Sequence, residues 1–169
     1  MHSLERIMPR ENETAFLTQV LRGNQHAVAF CQSLFRVSQT LDDMIDGDKN
    51  ITQNQVMSAF WQSLIEIPGN PFYRANEAYL RPMMAMALQD WRDSVFLERS
   101  GDEHQQTLAF VLRDQLTGVV VQCAYLVGGE AWMEAHGPKI RAHFHEDTLG
   151  DYLADLPKQV AREAPTESQ

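Results

Sequence analysis

Along most of the chain apolar residues recur at three- and four-residue intervals, and strand-like alternation is nearly absent, so the pattern predicts an all-α domain. Only Val119-Val120-Val121 offers a strand-like run. A first helix is expected over residues 11–22, where Phe16 and Val20, and Leu17 and Leu21, form i,i+4 pairs before Gly23-Asn24 closes it. The second, over 25–46, sets Phe30, Leu34, Val37, Leu41 and Met44 in one stripe and stops at Gly47. Thr52 is placed to cap a third helix that runs to residue 67, buries Val56, Phe60, Trp61 and Leu64, and ends at Pro68-Gly69-Asn70-Pro71.

A long fourth helix is expected over 73–99, with Leu80, Met84, Ala87, Trp91 and Val95 on its buried face and Pro82 as a kink or as its true first turn. The fifth, over 103–127, is apolar on nearly all sides beyond Asp114, which suits the middle of a bundle. Gly128-Gly129 breaks it, a short segment over 131–135 follows, and His136-Gly137-Pro138 precedes a last helix over 139–156 that Pro157 stops. The expectation is one bundle of about six helices over residues 1–160, with 161–169 as a flexible tail.

Composition supports a packed domain: 169 residues, 44% hydrophobic and 22% charged, carry enough apolar side chain for a core. The formal net charge of −9, without a basic block, argues against a nucleic-acid partner. Cys31 and Cys123 sit inside apolar stretches, as reduced buried thiols of a cytoplasmic protein do. The N-terminus has no apolar leader core, and the longest low-charge run, 116–129, is shorter than the ~20 residues that span a bilayer, so no transmembrane segment is expected.

Chemistry concentrates in Leu41-Asp42-Asp43-Met44-Ile45-Asp46-Gly47-Asp48. At about 100° per residue Asp42, Asp43 and Asp46 spread over roughly a quarter of the helix circumference and can converge on one cation. Acids in the last turn of a helix oppose its dipole at a cost of about 0.3–1 kcal/mol each, a repulsion that a divalent metal would relieve. Val28, Cys31 and Phe35 share the carboxylate-bearing side, which predicts a walled rather than fully solvated face. A calcium loop is excluded in both registers: starting at Asp42 it puts Met44 and Gln53 in ligand positions, and starting at Asp46 it puts Ile51 at the glycine position and Met57 at the last ligand.

Asp147, Asp151 and Asp155 repeat at i,i+4 near the expected end of the last helix. Two acidic helices facing each other with Mg²⁺ between them would suit a diphosphate, since Mg²⁺ takes a few carboxylates plus phosphate oxygens and water. An amphipathic surface helix explains the same spacing, because Leu149, Leu153 and Leu156 lie nearly opposite the acids.

Asp42-Asp43-Met44-Ile45-Asp46 resembles the DDxxD motif of class I isoprenoid synthases, and the stretch from Phe35 to Asp46, with Arg36 ahead of the acids, looks like the first acidic motif of the squalene and phytoene synthase branch. Asp151-Tyr152-Leu153-Ala154-Asp155 is similar to the second motif of squalene synthases, and Gln122 to Gly128 loosely resembles their substrate-lining helix. The resemblance implies a shortened form of that helical fold. It also implies Mg²⁺ as cofactor, a prenyl diphosphate as small-molecule ligand, and Asp42, Asp43, Asp46, Asp151 and Asp155 as metal ligands. Arg36, Lys49 and Arg113 are the candidate diphosphate contacts, since cations near an acidic site need a partner. Phe35 and Tyr125 are candidate lining for the isoprenoid, and no catalytic residue beyond the metal ligands is assigned.

Two other classes stay open. All-α nucleotide pyrophosphatases hold Mg²⁺ on acidic i,i+3 pairs from two helices, and Asp43/Asp46 with Asp90/Asp93 has that form. A non-catalytic helical interaction module that keeps the fold is the other, and a homodimer is compatible with any of the three. His143 and His145 lack further zinc ligands at useful spacing, and no GxSxG nucleophile motif is present.

Overall fold

The computed structural model describes residues 12–45, 47 and 50–163, with side chains to residue 156. Every regular element among them is helical: α1 (Glu13–Val20), α2 (Gln25–Ile45), α3 (Gln53–Trp61), a π turn (Gln62–Glu66), α4 (Ile67–Gly69), α5 (Pro71–Glu98), α6 (Glu103–Leu112), α7 (Leu116–Gly128), α8 (Glu130–Phe144) and α9 (Leu149–Glu163). Six of these run between 10 and 28 residues, which is the all-α bundle of about six helices that the apolar periodicity predicts.

Local chemistry sets several boundaries as expected. Thr52 Oγ1 accepts from Gln55 N at 3.2 Å while Gln55 Oε1 accepts from Thr52 N at 2.7 Å, a reciprocal cap that satisfies two orphan donors of α3. Asn70 caps α5 by accepting from Tyr73 N at 3.0 Å, and Asp102 caps α6 by accepting from His104 N at 2.8 Å. Gly129, at φ 81°, separates α7 from α8 in a conformation that side chains rarely adopt.

The expected fifth helix is interrupted: α6 ends at Leu112, and Arg113–Gln115 form a turn before α7 starts. His136-Gly137-Pro138 breaks nothing, because α8 continues through it with Gly137 buried against Val121 of α7. Packing along α7 outweighs the missing donor of Pro138. The chain breaks instead at 145–148, and α9 runs past Pro157 rather than ending there. Pro82 likewise lies inside α5 on its exposed side, where water can satisfy the carbonyl it frees.

The core joins Leu17, Val20 and Leu21 of the α1 region to Phe30, Cys31 and Leu34 of α2, Leu80 and Ala87 of α5, Val119, Val120 and Cys123 of α7, and Ile140 of α8. Both cysteines are free thiols in this core. A second, smaller cluster of Ala109, Tyr152 and Leu156, with Leu97, Phe110 and Leu153 packed against it, fastens α9 to α6. The third helix departs most from expectation, since Phe60, Trp61 and Leu64 point outward rather than into the core.

The stretch Glu103–Gly128 is long and apolar enough to cross a membrane by length and composition, with a mean hydropathy of 1.2 in its best window. It is split at its middle by the turn that carries Arg113 and Asp114, both half-buried, which leaves no clear transmembrane segment among the described residues.

Candidate functional site

The direction of each helix sorts the candidate residues into two ends of the bundle. Asn70 Nδ2 donates to His26 O at 2.9 Å, and Phe30 stacks on Tyr73 with centroids 5.5 Å apart, so α2 and α5 set out side by side in parallel. Tyr79 of α5 donates to Gln122 Oε1 at 2.5 Å and stacks on Tyr125, so α7 runs back along α5. These registers carry the last turn of α2, Asp90 of α5 and the Arg113–Asp114 turn toward one end, and leave Tyr125 at the other. Nine helical residues, ~14 Å of rise, separate Leu116, at the start of α7, from Tyr125.

At that end Asp42 and Asp43 are half-buried, while Met44 and Ile45 beside them are 48% and 39% exposed. A solvated acidic face would show the reverse. Val28 and Cys31, on the same side of α2 as Asp42, are buried, and Phe35 packs on Phe144 of α8 with centroids 4.8 Å apart. The expected wall beneath the carboxylates is therefore present. Asp46 and Lys49 lie outside the described residues. Arg36 is exposed and bends back to donate to Gln32 O at 3.3 Å.

The second acidic spacing has a different setting from the one expected. Because α8 ends at Phe144, Asp151 occupies the first turn of α9, not the last turn of a longer helix. There a carboxylate is favoured by the helix dipole. Thr148 Oγ1 donates to Asp151 Oδ2 at 2.6 Å and accepts from Asp151 N at 3.1 Å, which gives Asp151 a capping task of its own. Asp155 is exposed one turn further on. Among the described residues, no group of three or more His, Cys, Asp and Glu side chains is close enough to hold a metal ion.

Around the start of α9 stands a polar cluster that the motifs do not reveal. Arg113 approaches Asp147 at 3.7 Å and lies over the Tyr152 ring at 5.0 Å, while the Tyr152 hydroxyl donates to Glu98 Oε2 at 3.0 Å. Burial, followed by the Glu98 charge, pushes the Tyr152 phenol well above its ordinary range. His145 Nδ1 sits 3.4 Å from Asp114. Arg113, expected as a diphosphate contact, thus already ties the α6–α7 turn to the start of α9. Sequence spacing gives no hint of this because its members are separated by up to 54 residues.

Two hollows open at the opposite end. One, of about 570 Å³, is lined by residues that include Leu21, His26, Phe72 and Leu126. The other, of about 660 Å³, is lined by Tyr125, Val127 and Met133 among others. Asp42 is sixteen residues along α2 from His26, ~24 Å of helix. No protein-family model, curated protein or solved structure matches this chain.

Proposed function

We propose that the chain binds the Mg²⁺ complex of an isoprenoid diphosphate at the acidic end of α2, with Asp42, Asp43 and Asp46 as the primary metal ligands. One observation carries the reading: Asp42 and Asp43 are half-buried while Met44 and Ile45 beside them are exposed, the inverse of a face kept only for solubility. Carboxylates gathered in the last turn of a helix repel one another and the helix dipole, and a divalent cation relieves both. The isoprenoid class rests on the resemblance of residues 35–46 and 151–155 to the two acidic motifs. Neither hollow lies at the acidic end, so the proposal concerns head-group binding. Asp151 and Asp155, on α9, would join the metal shell only by giving up the cap or moving inward.

The nucleotide pyrophosphatase reading keeps one observation in its favour, since Asp90 is half-buried and set toward the same end. Thermal unfolding separates the two. With Mg²⁺ and a prenyl diphosphate at a hundred times Kd the native state gains about 2.7 kcal/mol, a readily measured rise in Tm. The rise should need both Mg²⁺ and diphosphate and vanish in Asp42→Asn/Asp46→Asn. A rise with nucleoside triphosphate instead, abolished by Asp90→Asn, would replace this reading with the pyrophosphatase. No rise with either ligand would overturn both.

A further inference from the structure

The segment from α3 through the π turn is inside out. Its outward side carries Met57, Phe60, Trp61, Leu64 and Ile65, each between 51% and 67% exposed. Its inward side carries half-buried Val56, Ala59 and Ser63, with Gln62 buried. Gln62 reaches only Ser58, at 3.1 Å through its Nε2, and its Oε1 has no hydrogen-bond partner. A solvated monomer has no reason to bury the amide and expose the indole. The outward positions follow i, i+3, i+4, i+7, i+8, the spacing of a helix–helix seam.

We infer that this face is the interface of a homodimer, closed by the same stripe of a second copy packed antiparallel about a two-fold axis near Trp61. A large side chain can bury ~150–250 Å², so five that are half to two-thirds exposed offer on the order of 600 Å². That approaches the ~800 Å² per partner of a standard interface. Aromatic and Met residues with little charge are the composition of an interface core. Residues 51–70 contain one charged side chain, Glu66, and no Lys, Arg or His. A membrane surface is the poorer occupant, because a face that docks on lipid is flanked by cations and the chain is acidic overall. Antiparallel pairing about Trp61 keeps the two Glu66 side chains on opposite sides of the two-fold axis. Parallel pairing would set them face to face. The inference is independent of what binds at the acidic end of α2.

Sedimentation velocity tests it on the full chain. The wild type should sediment as a dimer at micromolar concentration, and Trp61→Glu and Leu64→Glu should each sediment as monomers with unchanged far-ultraviolet circular dichroism. Both sites are exposed, so the monomer fold should tolerate them. Independently of the variants, the wild-type Tm should rise with protein concentration, as mass action requires of a dimer. A wild type that is monomeric at every concentration, or a dimer that both variants leave intact, overturns the inference. So does a monomer that cosediments with phosphatidylcholine vesicles through this face.

Discussion

The Trp132 indole donates to Val20 O at 2.8 Å across 112 residues of sequence, and this single bond pins the end of α1 to the start of α8. The ring also stacks on His136 at 3.8 Å and lies under the Arg22 guanidinium at 5.2 Å. Gly128 makes room for it.

A Cβ at Gly128 would collide with the Trp132 side chain, whereas one at Gly118, also helical, would meet nothing nearer than 3.8 Å. Gly128→Ala should therefore lower stability by about 1–3 kcal/mol through overpacking. Gly118→Ala should raise it by about 0.4–1 kcal/mol by restricting the unfolded chain. Urea denaturation of the two variants checks the opposite signs.

Thr148 and Asp151 hold the start of α9 by their reciprocal hydrogen bonds. Thr148→Ala should cost about 1 kcal/mol, as loss of an N-cap does, and Asp151→Ala a similar amount. A double-mutant cycle should show the two losses coupled. Measured without Mg²⁺, the coupling reports the cap alone. If Mg²⁺ raises the cost of Asp151→Ala but not that of Thr148→Ala, Asp151 serves the metal as well.

Tyr152 and Tyr73 are both raised above the ordinary phenol value of 10.0, chiefly by burial and then by Glu98 and Glu77 respectively. A raised folded value means that the native protein keeps its proton while the unfolded chain ionises. Their stabilising contribution is thus complete below pH 10 and is lost as pH rises through the folded values. The Tm should fall on the alkaline side of that point. Tyr152→Phe should be less stable than wild type at pH 8 by roughly 1 kcal/mol, for the lost bond to Glu98, and the difference should narrow in alkali.

Cys31 and Cys123 are both fully buried, and burial, followed by a hydrogen bond with Cys31, pushes the Cys123 thiol up. Neither should react with a thiol-directed reagent at neutral pH in the native protein, and both should react in denaturant. Rapid modification of either under native conditions would show that the core opens easily around α2 and α7.

The third helix shows how far periodicity carries. Its existence, its cap at Thr52 and its apolar stripe follow from residues within a few positions of one another, and the structure has all three. Which way the stripe faces does not follow, because rotating a helix changes no local interaction. The same holds at the end of α2: spacing puts Asp42 and Asp43 on one side, and only neighbouring helices decide whether that side meets protein or water. Breakers failed for a related reason. Pro138 and Pro157 are local penalties of a few kcal/mol, and packing elsewhere in the helix can exceed that.

The sequence by itself determined an all-helical chain, most helix starts and two acidic segments, since each depends on residues within a turn or two of helix. Tertiary structure alone decided that Arg113 is tied to Asp147 and that α3 shows its apolar side to the outside. Those outcomes depend on which surfaces of distant segments meet, and that is settled by the packing of the whole bundle.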